Sequence, residues 1–370
     1  MLVYIIVFSV MFFAPYMCNR IKGKEKLVYC VIMGILLSLL FGFRSEELGM
    51  MDVKVYYIPM FRTVKTMSFS QIIQAYPFER GNLFQILTKL ISMVISDEHI
   101  WLFLISLPFT VAITYAIYSY SKFPMMGFFL MFGSYIILVN MFLIRNSLCL
   151  AFLIICYICI QRKKWILSLI FYVLAILTHT TAILFGITYL IVKFRSNWKI
   201  YLGSIIVSYF IISNSAEVLS SLFQIINGGY YSNYDREGSA GLLYFSRYIV
   251  FLVIYIILYL VNHKTISINS SKILFHSEKT NSIFDVNNSN FNMMCLSIIF
   301  MSLATVVAEF YRIGMFFGFF GLIGLSNEIY DCKNKFLKYS CCAFLIIVCG
   351  YFTYKGLYAA NLAPYKSWLF

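Results

Sequence analysis

From Met125 to Ile160 the chain carries a single charged residue, Arg145. Such a stretch cannot cover a water-facing domain, and it is nearly twice the roughly 20 apolar residues that cross a bilayer. The same texture recurs throughout. Apolar runs long enough to span, or nearly so, fall at 1–17, 27–43, 100–120, 124–143, 144–160, 165–179, 180–194, 199–213, 241–261, 291–309, 312–330 and 338–354. Twelve spans would take up ~240 residues of the 370. Too little is left for a large separate soluble domain. With hydrocarbon on the outside each span must satisfy its backbone internally, which points to helices. The expected fold is therefore an all-α polytopic membrane protein of about 12 transmembrane helices, a single membrane domain over residues 1–370.

Composition agrees. Charged residues make up 12% of the chain and hydrophobic ones 61%, against about 25% charged in ordinary soluble domains. The net charge of +14 is not a nucleic-acid signature, because the Lys and Arg residues sit in short clusters between apolar runs. Most of the ten cysteines lie inside those runs. Cys156 and Cys159 have metal-pair spacing, but no second pair or His accompanies them, and they read as small buried hydrophobes. The N-terminal run has no basic residue before it, and Arg20, Lys22, Lys24 and Lys26 follow it. That order predicts an uncleaved first helix with its N-terminus outside.

Alternating the twelve runs puts 18–26, 121–123, 161–164, 193–199, 262–290 and 331–338 on the cytoplasmic side. Most of the 29 basic residues fall there, as the positive-inside rule requires. The run NLFQILTKLISMVIS at 82–96 is too short to span and is expected as a re-entrant or surface helix of an outer region, 44–99. A second outer loop is expected at 214–240, and a flexible Asn- and Ser-rich inner loop at 262–290. No internal repeat of the transporter type is visible.

Charged residues at a membrane boundary are costly and are functional candidates by default. On the predicted outer side these are Arg44, Glu46, Glu47, Asp52, Glu79, Arg80, Arg145, Glu309 and Arg312, with His179 between two threonines. Arginines at one membrane face suit an anionic headgroup such as a pyrophosphate, because the guanidinium fork meets phosphate oxygens two at a time. Each residue also has a plainer reading. Arg145 can cap a helix or snorkel, and His179 can be a hydrogen-bonded structural residue. Glu309 and Arg312, three apart, can form a simple ion pair. The outer tyrosines, Tyr56, Tyr57, Tyr230, Tyr231 and Tyr234, suit either an interfacial belt or stacking on sugar rings. No zinc-protease, P-loop, serine-hydrolase or D-x-D motif is present.

Four segments resemble a known family in order. FGFRSEELGMMDVKVYY is similar to the entry segment of the EpsG-like, Wzy-type bacterial polysaccharide polymerases, with Arg44, Asp52 and Tyr56 at its motif positions and Gly49 displaced. FERGNLFQILTKL supplies Glu79 and Gly81. LIRNSLCLAFLI resembles the family's R-Q helix start, with Asn146 in place of Gln after Arg145, and LAILTHTTAILF matches its His hairpin at His179. The resemblance is clearest over 27–195 and continues only at Tyr230–Tyr234 and the Arg312 helix.

It implies a fold related to membrane glycosyltransferases that use lipid-linked donors. It also implies a polymerase joining undecaprenyl-pyrophosphate-linked oligosaccharide units at the outer face of the bacterial inner membrane. No cofactor or metal is expected, and the expected partners are the lipid-linked substrate, the bilayer, a flippase and a chain-length regulator. Asp52, His179 and Arg145 are the expected catalytic residues. Arg44, Tyr56, Glu79, Arg80, Arg145, Tyr234, Glu309 and Arg312 are the expected substrate contacts. A flippase for the same lipid-linked sugar, or an acyltransferase resting on His179, are the competing readings.

Overall fold

Helix boundaries fall where polar residues break the apolar runs. The structure is a computed structural model of the whole chain, described over all residues except 20–22, 50–51, 77–80, 195–197, 215–237, 271–285, 306, 308 and 369–370. Its helices are α1 (Leu2–Cys18), α2 (Glu25–Gly42), α3 (Ile58–Thr66), α4 (Phe69–Ala75), α5 (Leu83–Ser92), α6 (Glu98–Tyr120), α7 (Pro124–Gly133) and α8 (Ile136–Asn140). They continue as α9 (Ile144–Gln161), α10 (Trp165–Thr178), α11 (Thr188–Ile191), α12 (Trp198–Ser213), α13 (Gly238–Ser270), α14 (Val286–Leu303), α15 (Phe310–Asp331) and α16 (Lys335–Ala359). A π-helical turn, Val53–Tyr57, runs into α3, and a 3₁₀ helix, Thr180–Ile187, runs into α11. Among the described residues the one β feature is an isolated bridge between Arg44 and Ser367.

Six of the twelve expected runs, in α2, α6, α9, α13, α15 and α16, are helices long and apolar enough to cross a membrane. The other six are shorter. The run 124–143 is not one span: α7 stops at Gly133, Tyr135 takes a left-handed conformation (φ +76°), and α8 restarts at Ile136. The run 180–194 opens as 3₁₀ rather than α. At the expected inner loop, α13 continues to Ser270 and α14 begins at Val286, so helix enters both ends of 262–290. Large apolar side chains cover the outer faces, among them Ile5 and Phe13 of α1, Ile166 and Leu169 of α10 and Phe210 of α12. Only hydrocarbon accommodates that much exposed apolar surface. The chain is an all-α multi-pass membrane protein.

The helices group into two compact units, Met1–Gly186 with Ile347–Phe370, and Ile187–Ile346. In the first, α6 packs on α2 and α9, and α9 packs on α10. The C-terminal segment closes over the end of α2. Ser45 N–H donates to Lys366 O (2.8 Å), Gly49 N–H to Asn361 O (3.1 Å), and Lys366 and Lys54 both pair with Glu47. In the second unit α15 packs on α13 and α14 and is buried almost throughout. Its glycines allow that approach. A Cβ on Gly321 would lie 2.9 Å from Met294 Cα, and one on Gly318 or Gly324 would strike Tyr248 or Tyr255.

Candidate functional site

The start of α9 is where the first unit gathers its polar groups. Leu143 precedes the helix without a side-chain cap, so the first-turn N–H groups need other partners. One comes from far away in sequence: Arg145 N–H donates to Tyr57 Oη at 3.3 Å. Asn146 Nδ2 donates to Asn140 Oδ1 (3.0 Å), and Asn140 Nδ2 donates back to Ile136 O (2.8 Å). These two amides brace the break between α8 and α9. The Arg145 side chain is half-buried. A guanidinium on the first turn adds its charge to the positive end of the helix dipole, and together they favour an anion.

Three further segments meet this point. The entry segment approaches through Gly49, whose φ of +81° and 2.8 Å clearance from Phe142 Cβ leave no room for a side chain. It then forms the π-helical turn, a form common at functional sites. Asp52 stands half-buried at the head of that turn, and Tyr56 on it is 46% exposed. The Tyr57 ring lies edge-on to Tyr56 (5.0 Å) and to Phe84 of α5 (5.7 Å). Just before α5, Gly81 has φ +73°, and a Cβ there would lie 2.6 Å from the carbonyl oxygen of Thr178. The next residue is His179, which ends α10 in an extended conformation. It is 7% exposed, with Nδ1 2.8 Å from Thr181 Oγ1.

Asp52 with Tyr56, Arg145, and His179 are thus carried by three segments, which together with the start of α5 are linked through Gly49, Tyr57, Phe84 and Gly81. The carboxylate and the imidazole can accept a proton, and the arginine can neutralise an anion. Arg44, expected as a substrate contact, sits at the end of α2. It is wholly buried, and its guanidinium donates to Phe41 O and to Ser106 Oγ (3.2 and 3.3 Å). It braces the end of α2 against α6. Glu79, Arg80 and Tyr234 lie outside the described residues.

The second unit holds its own cluster. Arg312 Nη1 pairs with Glu309 Oε2 at 2.8 Å, each about a quarter exposed, so the ion pair of the plainer reading is present. Tyr311 stacks on Tyr244 (5.0 Å, 15°), Arg312 lies over the Tyr311 ring (5.9 Å), and Arg247 lies over Tyr244 (5.6 Å). Arg247 is fully buried and escaped the sequence reading. Its signal was a single Arg within the apolar run 241–261.

No curated protein and no solved structure matches the chain. The EpsG family model matches residues 27–367, a span that contains every residue of both clusters, and the chain belongs to the EpsG family.

Proposed function

We propose that this polysaccharide-polymerase-like membrane protein joins oligosaccharide repeat units carried on undecaprenyl pyrophosphate, at the outer face of a bacterial inner membrane. The observation that carries the reading is the meeting of four motif-bearing segments, remote in sequence, at the uncapped start of α9. A sugar hydroxyl of one lipid-linked unit attacks the anomeric carbon of the growing chain. The bond from that carbon to the pyrophosphate oxygen breaks, and the lipid pyrophosphate leaves. The hydroxyl proton passes to Asp52 or His179. Arg145, with the dipole of α9 behind it, takes up the charge of the departing pyrophosphate. Tyr56 offers an exposed ring for a sugar face. Arg44 acts through position only, fixing the entry segment where α2 ends. Within the second unit, Glu309 and Arg312 are proposed as substrate contacts of their own, with Arg247 and its tyrosine pair holding Arg312 in place.

Purified chain in liposomes with lipid-linked repeat units tests this. The expected product is a polymer ladder, with one lipid pyrophosphate released for each bond formed. Translocation of intact units with no ladder overturns the polymerase reading in favour of a flippase.

A further inference from the structure

The first unit holds a second feature that the proposed reaction does not use. Between α2 and α6 runs an apolar groove of about 470 Å³, walled by Val31, Ile35, Phe103, Val111, Tyr115 and Tyr118 among others. It follows α2 from Leu27 to Leu39. Twelve steps along a helix rise ~18 Å, close to the ~15 Å depth of one leaflet.

One end of this groove is cationic. Lys26 Nζ stands 5.6 Å from the centre of the Tyr118 ring, and the Arg162 guanidinium 5.5 Å from that of Tyr115. The two tyrosine rings that line the groove are therefore the two that carry the charges. Lys163 and Lys164 follow Arg162, both exposed. Among the described residues neither Lys26 nor Arg162 forms an ion pair with a carboxylate. Glu25, beside Lys26, accepts instead from Gly23 N–H at 2.9 Å. At its other end the groove meets the Ser38–Thr110 hydroxyl pair (2.8 Å), which closes α2 onto α6.

We propose that this groove binds one anionic phospholipid, with an acyl chain along α2 and α6 and the phosphate between Lys26 and Arg162. An apolar slot of leaflet depth suits the chain, and two cations with no protein carboxylate to neutralise them suit the headgroup. Tyrosine rings hold both cations at the level where headgroups lie. A zwitterionic lipid fills the slot equally well but leaves the net positive charge at its mouth unanswered. The bound lipid ties the start of α2 to Arg162, the residue that caps the end of α9, so it clamps the helix whose far end bears Arg145. The site is independent of the proposed polymerase reaction.

The test uses the full chain in nanodiscs of equimolar phosphatidylglycerol and phosphatidylcholine, with retained lipids counted by native mass spectrometry. One phosphatidylglycerol should stay bound in preference to phosphatidylcholine. The double variant Lys26→Gln/Arg162→Gln should lower that retention by an order of magnitude or more, since each cation near an anionic surface is worth about fivefold. Val31→Trp, which fills the slot and alters no charge, should lower it as well. A control pair on exposed lysines, Lys333→Gln/Lys335→Gln, should leave it unchanged. Equal retention of the two lipids by the native chain overturns the proposal. So does unaltered retention in both test variants, or an equal loss in the control, which would assign the effect to diffuse charge.

Discussion

Arg145 sits on the first turn of an 18-residue helix that has no side-chain cap, and an Arg at the hydrocarbon edge costs about 2–3 kcal/mol when deep. If it grips a pyrophosphate, Arg145→Lys keeps the charge but loses the two-pronged contact. Polymer should fall to a small fraction of normal, and Arg145→Ala should abolish it, with both proteins at native levels in the membrane. Polymer ladders measured beside membrane protein levels decide the matter. A normal ladder from Arg145→Lys removes it from the site. Gly81 carries a different burden. Its φ of +73° and the 2.6 Å approach to Thr178 O mean that Gly81→Ala strains the backbone by about 1–3 kcal/mol and pushes on the His179 corner. Activity should drop more than tenfold while the melting temperature falls only a few degrees. A native ladder would show the corner to be tolerant. Both residues stand out in the sequence, Arg145 as a charge in an apolar run and Gly81 within a motif. Their proximity does not, because of the two residues that link them Tyr57 reads there as a belt or sugar-stacking ring and Phe84 as an ordinary aromatic.

At the scale of elements, the ends of α1, α2, α6, α9, α10 and α15 fall within two residues of the apolar runs that predict them. In a bilayer a helix ends where its apolar residues do, which makes length and boundaries local properties. The exceptions are tertiary. The break at Tyr135 interrupts a run that is apolar on both sides, and Tyr135 packs where Gly356 of α16 leaves room, with a Cβ there falling 2.7 Å from its ring. Small residues also set the packing of α15. Its glycines at 314, 318, 321 and 324 face α13 and α14, a spacing visible in the sequence whose partners are not. Gly321→Ala places a methyl against the Met294 backbone, and overpacking of this kind costs about 1–3 kcal/mol. The melting temperature in detergent should fall, whereas Gly350→Ala on α16, where nothing lies within 4 Å, should leave it unchanged. Equal behaviour of the two variants would mean that the α14–α15 contact is slack.

For the molecule as a whole, topology is the open expectation. α5 is 10 residues long, ~15 Å of helix, half of what a bilayer requires, so the segment before α6 should return to the face it left. A cysteine at the exposed Ser96 should react with an impermeant maleimide from outside the cell and be silent from the cytoplasm. Labelling from the cytoplasm would reverse the parity of every later span. The sequence by itself determined the membrane class, the helical architecture and nearly every long helix, because transfer into hydrocarbon and backbone self-satisfaction act on each 20-residue segment alone. It also marked Arg145 and His179 as candidates, since a charge or an imidazole in apolar surroundings is visible without a fold, and Asp52 through the resemblance of its segment to the family. Only the tertiary structure decided that Arg44 is a buried brace, that Arg247 lies on a stacked tyrosine pair, and that Gly49, Tyr57 and Gly81 join four distant segments. Each of those facts is a contact between residues far apart in the chain, and its energy exists only once the helices have packed.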